Sequence, residues 1–194
     1  LDKIIKNYQE YFDILEKYKV KLTVFVVANF IEKSQLIIDQ LKRCNAEFEL
    51  HSYSHDLSNP DTESEIILGK KYFIQYFGKK PMGYRAPQGL ISSNGYDNLD
   101  KEGFEYSSSV FPSFWPSFKY IFYSRKPFIV PRTKIIEVPF ATIPIVRLII
   151  SMSWIKLIGW KVYKILLNIF KLPRYFIFDS HLHDFYLDKN LYNK

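Results

Sequence analysis

Apolar positions change their period several times along the chain, and each change predicts an element. From Ile4, apolar residues at Ile5, Tyr8, Tyr11, Phe12 and Leu15 recur at the spacing of one helix face. "KLTVFVVANF" is instead almost continuous in β-branched and aromatic residues, as in a buried strand. A helix is predicted around "SQLIIDQLKRC", then a short strand "EFEL" that runs directly into His51. "DTESEIILGKKYFIQYFG" opens with Thr62 answered by Glu65, the pattern of a capping box, and stops at Gly78. "MGYRAP" predicts a short strand or turn, and "NGYDNLDKEG" a helix ended by Gly103. "FEYSSSV" and "KIIEVPF" predict further strands, "SWIKLIGWKVYKILLNIF" a helix, and "RYFIFDSH" a final strand.

Strand and helix therefore alternate at least five times, which implies an α/β fold with a parallel sheet, open or closed into a barrel. Functional groups in such folds gather at the C-terminal ends of strands. His51, Arg85 and His181 each stand at or just past such an end.

Composition narrows the function classes. A chain of 194 residues with 47% hydrophobic and 18% aromatic content excludes a disordered chain and suits one domain over 1–194. The net charge of +7 is scattered rather than blocked, so no nucleic-acid partner is expected. Cys44 alone can form neither an internal disulfide nor a paired-cysteine zinc site, and weakly favours a reducing compartment such as the cytoplasm. "IPIVRLIISMSWIKLIGWKVYKILLNIF" is interrupted by Arg147, Lys156, Lys161 and Lys164, so no uncharged run reaches the roughly 18 residues a membrane span needs. Its stripe at 154, 157, 158, 162, 165, 166 and 169 fits either a core face or a face lying on a membrane, and core packing is the expected fate.

Candidate chemistry lies in two histidine pairs and one arginine. In "HSYSH", His51 and His55 stand at i and i+4, which on a helical turn places both imidazoles on one face, close enough to grip one metal ion. Two surface histidines opening a loop is the competing reading, since a catalytic zinc takes three protein ligands. In "YRAPQG", Arg85 could orient a carboxylate or bind an anion, or form an ordinary salt bridge. In "FDSHLHDF", strand alternation puts Asp179, His181 and His183 on one side, with Asp184 following. A histidine held by an acid can transfer protons near neutral pH, and an exposed pair at a loop start is the alternative.

The order HSxxH, then RxP, then a late histidine after a strand resembles the polysaccharide deacetylases, carbohydrate esterase family 4. "ILEKYKVKLTVFVVANF" is similar to the family's helix and second strand. "HSYSHDLS" through "SEIILGKKYFIQYFGKKPMGYRAPQG" is similar to its metal-binding segment and arginine motif, and "LDKEGFEYSSSV" and "IIEVP" continue the likeness. The resemblance implies a distorted (β/α) barrel and a divalent metal, zinc first, held by His51, His55 and an aspartate. It implies removal of N-acetyl groups from an amino sugar in a glycan or glycolipid, with the metal polarising the carbonyl and activating a water. Arg85 would orient a base aspartate, the N–H of Gln88 would help hold the oxyanion, and His181 would protonate the leaving amine. The family usually has an aromatic residue where Gln88 stands. Its first motif, a strand ending in paired aspartates, is absent, so a domain lacking its first strand and N-terminally truncated is expected. The rival expectation is a catalytically inactive carbohydrate-binding or scaffold module of the same fold.

Overall fold

The computed structural model describes residues 2–114, 118–172 and 176–185. They fall into two compact units. The first comprises Leu15–Val110 with Lys126–Val138; the second draws on residues up to Ile14, on Phe111–Arg125 and on those from Pro139 onward. Helix α1, Asp2–Lys17, contributes to both.

A six-stranded sheet organises the first unit, in the order β1-β2-β3-β4-β6-β5. Its strands are β1 (Thr23–Val26), β2 (Glu47–Leu50), β3 (Gly83–Tyr84), β4 (Tyr106–Ser107), β5 (Phe128–Ile129) and β6 (Ile136–Glu137). Neighbours pair in parallel from β1 to β6, and only β5 is antiparallel. The helices between the strands are α2 (Gln35–Arg43), α3 (Glu63–Phe77) and α4 (Ser93–Lys101). This is the alternating architecture the apolar periods predict. Among the described residues the sheet does not close.

The strands are shorter than expected, for reasons visible in their hydrogen bonds. β3 ends where Pro87 approaches and the Ala86 N–H leaves the ladder for Ser109 Oγ at 2.9 Å. Beyond β4, the N–H groups of Ser109 and Val110 both donate to the Glu137 carboxylate rather than to a strand. β6 stops at Pro139. β5 lies between Pro127 and Pro131, which leave only three residues of apolar signal, too few to read as a strand; an edge position suits that setting.

Two close approaches bring the site's elements together. Gly69 lets α3 rest on β2, because a Cβ there would stand 3.1 Å from the Leu50 side chain and from the Tyr53 N. At Gly83 the Tyr106 ring lies across the missing side chain, 2.2 Å from where a Cβ would be. Leu50, Ile66, Phe73, Tyr84 and Leu99 fill the core around them, all fully buried.

The second unit departs further from expectation. The single helix expected over 153–170 is two, α5 (Met152–Ile158) and α6 (Trp160–Ile169). Gly159 separates them with φ 98° and ψ 140°, a conformation that ends the helical hydrogen bonding and that glycine accepts readily. The final strand expected over "RYFIFDSH" is reduced to one parallel bridge between Asp179 and Ser151; Arg174 and Tyr175 lie outside the described residues.

Candidate functional site

His51 follows β2 directly, and its N–H still donates to the Val26 carbonyl at 2.8 Å. The chain then turns away without forming a helix. Ser52 and His55 both take positive φ, 69° and 63°, a conformation costly for residues with side chains. Several bonds hold the turn. The buried Ser52 Oγ accepts the His55 N–H at 2.9 Å. The Glu65 carboxylate accepts Tyr53 N–H at 3.1 Å, Ser54 N–H at 2.9 Å and Ser54 Oγ–H at 2.7 Å. The far side of the turn is tied to the end of β1, where Ala28 N–H donates to the Ser52 carbonyl and Asn29 N–H to that of Tyr53.

This corrects two expectations. His51 and His55 meet through two left-handed residues rather than along a helical turn, with ring centroids 5.0 Å apart and planes at 65°. Glu65 is only half of a capping box. Its N–H donates to Thr62 Oγ1, but its carboxylate clamps the histidine turn instead. Spacing alone revealed the cap; the clamp needed the fold.

His51 Nδ1 lies 2.6 Å from the Arg85 carbonyl oxygen. A carbonyl can only accept, so Nδ1 carries the proton and Nε2 keeps a lone pair. Metal-binding histidines are prepared in just this way, with the distal nitrogen fixed by a backbone carbonyl. The donor set therefore fits a divalent metal, as two imidazoles on one hydrogen-bonded turn. Among the described residues, no third histidine, cysteine or carboxylate completes a ligand group with them.

Arg85 follows β3 and stands beside His51 because the two strands are paired, with the Arg85 N–H donating to the Leu50 carbonyl at 3.0 Å. Its Nε donates to the Ser108 carbonyl and its Nη2 to Ser108 Oγ, both at 3.0 Å. The guanidinium also stacks over Phe25, 4.4 Å from the ring centroid. The planar fork is thus used for position as well as charge, and Ser108 was not visible as its partner in the sequence. In an active form of the protein, Arg85→Lys should lower kcat on the order of 10²-fold with bound metal unchanged, because an ammonium reproduces neither the fork nor the stack. Steady-state kinetics with metal analysis checks this, and near-normal turnover reduces Arg85 to an ordinary surface-fixing cation.

Gln88 has left-handed geometry, φ 51° and ψ 19°, in the tight turn Pro87–Gly89. The turn's other N–H groups are used, Gly89 donating to the Ala86 carbonyl and Leu90 to that of Pro87. The Gln88 N–H meets no acceptor among the described residues. Gln88 is exposed between the buried Pro87 and Gly89, and a preorganised backbone donor is what an oxyanion requires.

The late histidines belong to the second unit. Leu182–Phe185 form a short 3-10 turn, so the rings are brought together by that turn rather than by strand phase. His181 and His183 stack with centroids 4.9 Å apart and planes at 17°. Asp184 serves His181: its Oδ2 accepts the His181 N–H at 2.8 Å and lies 3.7 Å from Nδ1. Asp179 stands 4.0 Å from the same Nδ1. Ser153 on α5, which sequence reasoning missed, donates its hydroxyl to Asp184 at 2.9 Å. Burial pushes the Asp184 carboxyl up, but hydrogen bonds from the His181 side chain and backbone and from Ser153 outweigh it and bring the pKa down to about 2. The carboxylate is ionised throughout the neutral range and pairs the ring whenever His181 is protonated. His181, His183 and Asp184 also form a group whose ligand atoms lie within 4.8 Å of one another. The Asp184 oxygens there are already engaged by Ser153 and His181.

Residues 2–107, more than half of the chain, match the model of the polysaccharide deacetylases. A curated relative, a peptidoglycan-N-acetylglucosamine deacetylase of Bacillus cereus, is 25% identical over 97 residues, 48% of this chain and 45% of that protein. Among solved structures, a Mycobacterium smegmatis protein assigned as a polysaccharide deacetylase is similar at a TM-score of 0.59 and 19% identity, over 86% of this chain and 61% of its own. A Pseudomonas aeruginosa protein of the same assignment is similar at 0.57 and 14% identity, over 84% of this chain and 55% of its own. At such identities the structures speak for the fold alone, which is the barrel-like (β/α) arrangement of these proteins. This chain spans about half the length of the curated relative and about three-fifths of the first structure. The matched segment carries the α1-to-β4 succession and the turns bearing His51, His55, Arg85 and Gln88, and on that ground the chain belongs to the polysaccharide deacetylase family, carbohydrate esterase family 4.

Proposed function

We propose that this protein removes N-acetyl groups from an amino sugar of a glycan or glycolipid, with a divalent metal, zinc first, bound at His51 and His55. The observation that carries this reading is the prepared histidine pair: one ring locked by the Arg85 carbonyl, the other 5.0 Å away on the same bonded turn. When bound, the metal supplies Lewis-acid polarisation of the acetyl carbonyl and activation of water. The remaining work falls to Arg85, Gln88 and His181, with a base carboxylate that the described residues do not identify. Arg85 orients a carboxylate that accepts the proton of the attacking water. The Gln88 N–H donates to the carbonyl oxygen as negative charge develops on it. His181 gives its proton to the leaving amine nitrogen, and ionised Asp184 stabilises the ring in its protonated state beforehand.

A second reading has one observation in its favour. With no third ligand beside His51 and His55 among the described residues, the same fold could serve as an inactive carbohydrate-binding module. Acetate release from N-acetylglucosamine oligomers separates the two, measured on this chain and on a form extended upstream, each with and without added zinc. Zinc-dependent release by the extended form supports the enzyme. Oligomer binding with no release by either form supports the binding module and overturns the enzyme.

A further inference from the structure

The helices α5 and α6 have two sides with different surroundings. Inward, Tyr163 is fully buried, donates its hydroxyl to the Ile149 carbonyl at 2.5 Å, and packs with Ala141, Ile143 and Ile150. Trp154, Ile158 and Leu166 lean on this cluster. Outward, the helices do not bury their apolar residues. Leu157 is 66% exposed, Trp160 56%, Ile165 59% and Ile169 67%. The stripe expected to pack in a core is therefore split, with 154, 158 and 166 inside and 157, 162, 165 and 169 outside. Ile145, on the turn before the helices, is 81% exposed.

The charge along this stretch of sequence has one sign, although the Asp184 carboxylate meets Ser153 in the first turn of α5. From Val138 to Phe178 the sequence contains no aspartate or glutamate, but carries Arg147, Lys156, Lys161, Lys164, Lys171 and Arg174. The four lysines are exposed. Nη1 of Arg147 is buried without a hydrogen-bond partner among the described residues. Burial and the neighbouring Arg147 charge lower the pKa of Arg125, whose guanidinium donates to Thr142. A protein partner of ordinary composition would leave these cations unmatched. An anionic bilayer matches both features, since its surface takes up exposed apolar and aromatic side chains while its headgroups pair with lysine and arginine.

We propose that the α5–α6 face, with the turn carrying Ile145 and Arg147, is a docking surface for an anionic lipid membrane. No helix among the described residues is long and apolar enough to cross a membrane, and the docking proposed is to the bilayer surface. This inference stands independently of the chemistry proposed above.

Flotation with phosphatidylcholine vesicles, with or without about a quarter of anionic phosphatidylglycerol, tests it. The protein is expected to float with the anionic vesicles, and raised salt should weaken that binding. Lys161→Gln with Lys164→Gln, both exposed and unable to disturb the core, should weaken anionic-vesicle binding by on the order of tenfold, taking about fivefold per cation as the upper scale. Ile165→Asp with Ile169→Asp should abolish flotation while far-ultraviolet circular dichroism stays unchanged. Failure to float, equal binding to both vesicle types, or insensitivity to the lysine pair each overturns the proposal. Concentration-dependent dimerisation without flotation does so too, and assigns the face to a second copy of this chain.

Discussion

In an active form of the protein, His181→Ala should lower kcat for deacetylation by about 10²–10⁴-fold, the usual contribution of a positioned proton donor, while bound metal is unchanged. His183→Ala should leave turnover within a few-fold. Both rings are present and stacked, so proximity does not distinguish them. The acid does. Asp184 accepts the His181 N–H and faces His181 Nδ1, while Ser153 fixes the carboxylate from the other side. A donor needs that orientation, because an exposed imidazole without it samples many directions. Parallel kinetics on the two variants decide the matter. Loss of turnover in His183→Ala with His181→Ala intact would reverse the assignment. The lowered Asp184 pKa adds a stability consequence with a definite sign. A carboxyl depressed by folding stabilises the fold above its ordinary pKa, near 4, and that contribution is lost as pH falls toward 2.

Glu137→Ala should be among the most destabilising single changes, costing about 3–5 kcal/mol in chemical denaturation. The Glu137 side chain is fully buried on β6. One carboxylate oxygen accepts the N–H groups of Ser109 and Val110, both at 2.8 Å, and the other accepts the Tyr96 hydroxyl at 2.9 Å. Alanine leaves all of these donors buried without an acceptor, and a cavity beside them. Glu137→Gln should cost far less, about 1 kcal/mol, because the amide oxygen still accepts the backbone pair and the tyrosine hydroxyl can rotate to accept from its nitrogen. The effect should reach the candidate site as well. Ser108 and Ser109 hold the Arg85 guanidinium and the Ala86 N–H, so loosening their anchor loosens the arginine turn. Equal stability of the alanine and glutamine variants would show that the buried network contributes little.

Much of the fold was legible because burial writes a period into the sequence. β2 and α2 through α4 follow the predicted spans closely, with Thr62 and Gly78 at the ends of α3 as expected, whereas β1 keeps only Thr23–Val26 of the strand expected over 21–30 and Ala28–Phe30 turn into a 3-10 helix. What the periods could not show were features decided by contacts distant in sequence. The buried Glu137 reads as one more charge in "KIIEVPF", and only the pairing of β4 with β6 brings it to the Ser109 and Val110 amides. Gly159 inside an otherwise continuous helical pattern could be tolerated or could break it, and here it breaks it. The site was legible as residue types, yet its geometry was misread. The i, i+4 spacing of His51 and His55 suggests a helix, whereas the turn depends on positive φ at Ser52 and His55 and on a clamp from Glu65. Neither a left-handed residue other than glycine nor a carboxylate borrowed from a neighbouring helix leaves a local signature.

Calorimetric zinc titration of this chain, of an upstream-extended form, and of both carrying His51→Ala tests the central claim most directly. That claim is that His51 and His55 supply two metal ligands and that a carboxylate outside the described residues supplies the third. A missing ligand should weaken binding by at least the roughly tenfold to hundredfold seen when only outer partners are lost. Weak binding by this chain, tight binding of one zinc by the extended form, and loss of the tight site with His51→Ala are expected. Tight zinc binding by this chain that survives His51→Ala would contradict the claim, and would move the metal to other residues.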